Sequence, residues 1–87
     1  MVVFRSALNI KPSALKDLDS LPDKEVKKIF IRLVQLKDEP RPIGVQKLSA
    51  QEGYRIRSGN YRILYEINDE SETVFIFRIK HRKEAYK

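Results

Sequence analysis

The chain has 87 residues, no cysteine and one histidine, and its 18 lysines and arginines against 12 acidic residues give a net charge of +6. This length fits one small domain over 1–87, and a composition of 41% hydrophobic and 34% charged residues is typical of a globular protein. Disulfides, thiolate metal sites and cages of several histidines are excluded, so we expect no metal and no cofactor.

The N-terminal half predicts one strand and a helical hairpin. Alternating side chains predict a strand over 2–8. Pro12 and Ser13 suit the start of a helix, which we expect over 12–20. Apolar residues at helical spacing predict a second helix over 23–37. So short a connection favours an antiparallel pair of helices whose apolar stripes pack into the core.

The C-terminal half has the period of β-strands. A loop with two prolines and a glycine spans 38–46, and strands are predicted over 53–58, 61–67 and 73–80. A Gly-Asn pair suits a two-residue turn between the first two of these strands. The predicted fold class is α+β: an antiparallel four-stranded sheet with an N-terminal helical hairpin on one face, in the order strand-helix-helix-strand-strand-strand.

Turn lengths predict the register of the sheet. The two-residue turn places Arg57 opposite Arg62, and a five-residue turn at 68–72 places Arg62 opposite Arg78. Three arginines would then cross three strands on one face. Like charges directly opposite one another destabilise a sheet, whereas guanidinium groups match phosphate oxygens. A phosphate-bearing ligand would turn this repulsion into attraction, and a solvated basic face is the alternative.

Two further features belong to this predicted face. Leu64, Val74 and Ile76 are expected beside the arginines, which suggests that an apolar partner covers part of the face. The C-terminal segment then brings the single histidine, His81, and Tyr86 to the end of the row. No apolar run could span a membrane and the N-terminus lacks a signal-peptide pattern, so we expect a cytoplasmic protein with an anionic partner and no membrane contact.

Three segments, in order, resemble the RelE toxins of bacterial and archaeal type II toxin–antitoxin systems. They are Lys47-Leu48, the segment GYRIRSGNYRILYEI at 53–67, and HRKEAY at 81–86. The resemblance covers essentially the whole chain. It implies a microbial-RNase-like RelE fold and metal-independent cleavage of mRNA in the ribosomal A site. It also implies a RelB-like antitoxin that wraps the toxin, holds it inactive and links it indirectly to operator DNA.

The resemblance also implies the site residues. The family's functional basic residues fall on Arg55, Arg57, Arg62 and Arg82, and its tyrosine falls on Tyr86. Arg55 and Arg57 stand where some members have lysines, and an arginine essentially never loses its proton.

The general base is therefore open, with His81 favoured because an imidazole can exchange a proton near neutral pH. Arg78, from the register, together with Lys80 and Lys47, is predicted to bind substrate.

Three other functions stay open. ParE-like members of the same superfamily poison DNA gyrase and lack the nuclease residues, so Arg62, Arg82 and Tyr86 favour the RelE type. The basic charge alone would also suit a non-catalytic nucleic-acid-binding protein. A toxin relic that only co-represses its operon with the antitoxin is the third alternative.

Overall fold

The computed structural model describes the backbone of residues 7–85 and the side chains of residues 7–83. Its elements are β1 (Ala7–Ile10), α1 (Pro12–Asp19), α2 (Asp23–Asp38), β2 (Gln46–Lys47), β3 (Tyr54–Ser58), β4 (Tyr61–Asn68), β5 (Thr73–His81) and α3 (Arg82–Ala85). The predicted helices and the last three predicted strands are confirmed to within one or two residues. Part of the strand expected at 2–8 lies outside the described residues, and β1 continues to Ile10.

The strands form one five-stranded sheet in the order β1-β5-β4-β3-β2. The α+β class and the helical hairpin are confirmed, but two details of the sheet differ from the prediction. The additional strand, β2, has only two residues, too few to show an alternating pattern. In addition, β1 lies parallel to β5, with Ala7 opposite Thr73. A parallel pair needs a long crossover, which the two helices and the other strands supply.

The core lies between the helices and one face of the sheet. Leu18 of α1 and Ile29, Leu33 and Leu36 of α2 are buried, as their helical spacing predicts. The sheet contributes Ile56, Ile63, Tyr65, Val74, Ile76 and Ile79. Among the described residues, no helix is long and apolar enough to cross a membrane.

Helix α1 takes over the free edge of β5 where β1 stops. The last backbone contact of this pair is Lys11 N donating to Ile76 O at 2.8 Å. Beyond it, the Ser13 hydroxyl donates to Phe77 O at 2.6 Å, and the Asp17 carboxylate accepts from Ile79 N at 2.8 Å. Side chains of α1 thus satisfy strand groups that would otherwise lack partners.

The predicted register is confirmed between β3 and β4 and is wrong between β4 and β5. Arg57 does lie opposite Arg62. However, Asn68 pairs with Thr73, so the turn is one residue shorter than expected, and an irregularity at Leu64/Tyr65 shifts the register once more. Arg62 therefore lies opposite Lys80 rather than Arg78.

The shorter turn between β4 and β5 moves two apolar residues to the other face of the sheet. Val74 and Ile76 were expected beside the arginines, but both are fully buried in the core. Leu64 remains on the arginine face, opposite Arg78, and is half-buried. The prediction of an apolar patch of three residues that a partner covers is therefore wrong, because only Leu64 lies on that face. The cause is the shorter turn, which places Val74 opposite Ile67 and Ile76 opposite Tyr65.

Candidate active site

A basic cleft of about 330 Å³ lies between α2 and β3, and we call it the α2–β3 cleft. Its lining residues are Arg32, Gly44, Gln46, Arg55, Ile56, Arg57 and Arg62. Four of these seven are arginines and none is acidic. Positive charge on the walls of a concave surface focuses the field and raises the local concentration of anions.

A second cleft of about 240 Å³ continues from the first, and we call it the turn cleft. It is lined by Arg57, Gly59, Asn60, Arg62 and Arg82. Arg57 and Arg62 line both clefts, so they form the wall between them. Sequence-predicted residues from β3, β4 and the C-terminal segment therefore meet on one surface.

The turn between β3 and β4 positions Arg82. Gly59 has a φ of 59°, a conformation in which a glycine is least strained. Asn60 then presents its carbonyl oxygen to the Arg82 N–H at 2.7 Å. This bond fixes the start of α3 against the turn, so the Arg82 side chain lies beside the arginine pair although it is distant in sequence.

Arg62 is the central residue of this surface. It lies between Arg57 on β3 and Lys80 on β5, and it is only 6% exposed, whereas Arg57 is exposed. A charge held away from water interacts more strongly with a bound anion than one in bulk solvent does. The predicted basic row thus exists, with Lys80 in the place expected for Arg78.

Arg78 is held by α1. Its Nε donates to Asp17 at 2.9 Å and its Nη2 donates to the other carboxylate oxygen at 3.3 Å. The Arg78 side chain is 41% exposed even with this contact. Its predicted role in substrate binding stays a prediction. Lys47 lies opposite Tyr54 and lines a different cleft, so the structure does not bring it to the arginine surface.

His81 lies opposite Tyr61, and the two rings meet edge to face at 5.3 Å. Because side chains alternate along a strand, His81 projects from the other face of β5 than Lys80. Its Nδ1 accepts a hydrogen bond from the Lys83 N–H at 3.3 Å. It lines neither cleft described above, and its predicted role as a base stays a prediction. Tyr86 lies outside the described residues, and its role likewise stays a prediction.

The loop between α2 and β2 forms one wall of the α2–β3 cleft, and Arg41 ties it to the sheet. The Arg41 guanidinium donates to both carboxylate oxygens of Asp69, at 3.1 and 3.0 Å, and its Nε donates to the Tyr54 hydroxyl at 3.2 Å. Hydrogen bonding to Arg41 lowers the pKa of Asp69. The same bonds raise the already high pKa of Arg41.

Tyr65 fixes the same loop from inside the core. Its hydroxyl donates to Pro40 O at 2.7 Å, and its ring lies 5.8 Å from that of Tyr54. Burial raises the pKa of Tyr65 to about 12, because the charged phenolate would lose its hydration. The wall that carries Gly44 is therefore anchored at two points.

Sequence reasoning missed three residues of this region. Arg32 of α2 lines the α2–β3 cleft, and Gln46 accepts a hydrogen bond from Arg55 Nε at 2.8 Å. The carboxylate of Glu25 lies 4.0 Å from the position that a Cβ on Gly59 would take. Arg32 and Glu25 are distant in sequence from the β3–β4 hairpin and come near it through the docking of α2, whereas Gln46 lies opposite Arg55 in the pairing of β2 with β3. Among the described residues, no group of three or more histidine, aspartate or glutamate side chains could hold a metal ion.

Comparison with known proteins agrees with this fold. Residues 8–86 match the family model of the ParE toxin of type II toxin–antitoxin systems. The chain is 34% identical over 77 residues to toxin RelG of Mycobacterium tuberculosis, covering 86% of this chain and 88% of that protein.

Solved structures are also similar. The toxin–antitoxin complex RelBE2 of Mycobacterium tuberculosis contains a chain with a TM-score of 0.83 and 28% identity, over 93% of this chain and 95% of that one. The archaeal RelE–RelB complex from Pyrococcus horikoshii contains a chain with a TM-score of 0.77 and 25% identity, over 90% of this chain and 96% of that one. Fold and sequence thus define a small toxin of the type II toxin–antitoxin class. The chain belongs to the RelE/ParE superfamily, and the resemblance to RelE toxins is confirmed.

Proposed function

We propose that this toxin is a metal-independent endoribonuclease that cleaves mRNA, in the ribosomal A site, and so inhibits translation. The observation that carries the proposal is the buried Arg62 between Arg57 and Lys80, with Arg82 fixed beside it by the Asn60 carbonyl. Several cations directed at one point of a concave surface suit a phosphate whose charge increases during reaction.

The chemistry that suits this surface is attack of the RNA 2′-hydroxyl oxygen on the adjacent phosphorus. The new O–P bond and loss of the 5′-oxygen give a 2′,3′-cyclic phosphate and a 5′-hydroxyl. A base takes the proton of the 2′-hydroxyl, and the leaving oxygen gains one. In this proposal Arg62 and Arg57 stabilise the phosphorane oxygens, and Arg82 stabilises charge on the leaving oxygen. A single such donor is typically worth about 3–4 kcal/mol of barrier.

We further propose a RelB-like antitoxin as the partner that holds the toxin inactive and links it to operator DNA. The similar structures from Mycobacterium tuberculosis and Pyrococcus horikoshii are toxin–antitoxin complexes, and a chain of charge +6 suits an acidic partner. In this proposal residues 1–87 act as one toxin domain in the cytoplasm, where mRNA and ribosomes are present.

Gyrase inhibition is the second candidate, and the ParE description of the matching family model favours it. Two assays with the purified toxin separate the candidates: cleavage of mRNA on programmed ribosomes, and supercoiling of plasmid DNA by gyrase. We expect mRNA cleavage with cyclic phosphate ends and unchanged supercoiling. Intact mRNA together with blocked supercoiling would contradict the nuclease and establish the gyrase reading. Intact mRNA with normal supercoiling would contradict both.

A further inference from the structure

We infer that the α2–β3 cleft is a second phosphate subsite for single-stranded RNA, and that Arg32 of α2 binds the phosphate there. The inference rests on the proposed function, because it extends the same RNA beyond the scissile phosphate. Arg57 and Arg62 separate this cleft from the turn cleft. A strand whose reacting phosphate lies at that wall continues into the larger cleft on the side of α2.

The cleft has the chemistry of a phosphate site. Its volume, about 330 Å³, is within the range of small-molecule sites. Two of its arginines are oriented by amide groups: Arg32 Nη1 donates to Gln35 Oε1 at 2.9 Å, and Arg55 Nε donates to Gln46 Oε1 at 2.8 Å. The neutral amide of Gln35 orients the Arg32 guanidinium without compensating its charge, whereas the carboxylate of Asp69 compensates the charge of Arg41.

Acidic and basic residues lie at opposite ends of β4, and this separation favours an RNA path towards α2. The acidic residues Glu52, Glu66, Asp69 and Glu70 line one hollow near the other end of β4, where Arg41 compensates only Asp69. An RNA backbone would be repelled there and attracted towards Arg32. Arg32 is half-buried on α2, which is itself packed into the core through Leu33 and Leu36, so its position is set by a rigid element.

The test is binding of a fluorescein-labelled single-stranded RNA in which every sugar is 2′-O-methylated. This probe lacks the attacking hydroxyl, so binding is measured without cleavage. Arg32→Ala should weaken binding about 3- to 10-fold at ~0.1 M salt and reduce the slope of log K against log salt by about 0.7, the loss of one phosphate contact. Arg32→Lys keeps the charge and should keep most of the affinity.

The matched control is Lys27→Ala, since Lys27 is exposed and lies about 140° around α2 from Arg32. Lys27→Ala removes the same charge on another side of α2. Salt screens an exposed charge that is distant from the cleft, so RNA binding should change less than 2-fold. On programmed ribosomes, Arg32→Ala should raise KM and leave kcat unchanged.

Equal effects of Arg32→Ala and Lys27→Ala, or a wild-type toxin that does not bind the probe at low salt, would overturn the subsite. A toxin that binds the probe with the predicted Arg32 dependence but leaves mRNA intact would refute the nuclease while supporting the subsite. Failure of the two ideas is therefore distinguishable.

Discussion

The Asp17 carboxylate is one of two α1 side chains described above that hold this helix to the free edge of β5. It accepts from Ile79 N at 2.8 Å and from two nitrogens of Arg78. Ile79 is only 4% exposed. In Asp17→Ala the strand N–H loses its acceptor in a buried place, which costs about 1–3 kcal/mol. The partly exposed Arg78 ion pair adds up to about 1 kcal/mol.

We therefore expect Asp17→Ala to lower the free energy of unfolding by about 1–4 kcal/mol. For a domain of this size each kcal/mol shifts Tm by about 4–8 °C, so the melting temperature should fall by at least ~4 °C. Asp17→Asn is the matched variant, because its amide oxygen can still accept from Ile79 N, and it should lose about half as much. Thermal melts followed by circular dichroism measure both. A Tm of Asp17→Ala within ~2 °C of wild type would refute this account of the β5 edge.

Two further predictions concern the other contacts of the sheet. Folded Tyr65 keeps its proton to about pH 12, while an unfolded chain loses it near 10; the folded state then binds more protons, so stability should fall as pH rises from about 10 to 12. Tyr65→Phe should remove this pH-dependent contribution and lower the free energy of unfolding by about 0.5–1.5 kcal/mol at neutral pH. Urea unfolding of both proteins at pH 7 and pH 11 tests this. Equal losses of stability in the two proteins between these pH values would contradict the assignment to Tyr65. Gly53 has a φ of 128°, and a Cβ there would lie 2.8 Å from Tyr65 O. Gly53→Ala should therefore cost about 1–3 kcal/mol in the same measurement, and unchanged stability would contradict the close approach.

Local pattern predicted most of the fold. The apolar spacing of α2 gave the face that Ile29, Leu33 and Leu36 bury, and the Gly-Asn turn gave the pairing of Arg57 with Arg62. Both depend only on neighbours in sequence, which is why the sequence suffices for them.

Long-range pairing was not predictable in the same way. The direction of β1 depends on a partner more than sixty residues away. The irregularity at Leu64/Tyr65 leaves no mark on the alternation of apolar and polar residues. One consequence was the exchange of Arg78 for Lys80 beside Arg62. Arg32 was missed for a related reason: its place on α2 was predicted, but the way α2 docks beside β3 was not.

The central claim is that Arg62 stabilises a reacting phosphate, and its most direct test is mRNA cleavage on programmed ribosomes by Arg62→Met. Methionine keeps an apolar stem in the buried position and removes the charge that faces Arg57 and Lys80. Lys16→Met, at an exposed position of α1, makes the same charge change elsewhere. We expect Arg62→Met to remain folded and to lose about 10²–10³-fold in kcat, while Lys16→Met keeps wild-type cleavage. A folded Arg62→Met that cleaves mRNA at the wild-type rate would contradict the claim.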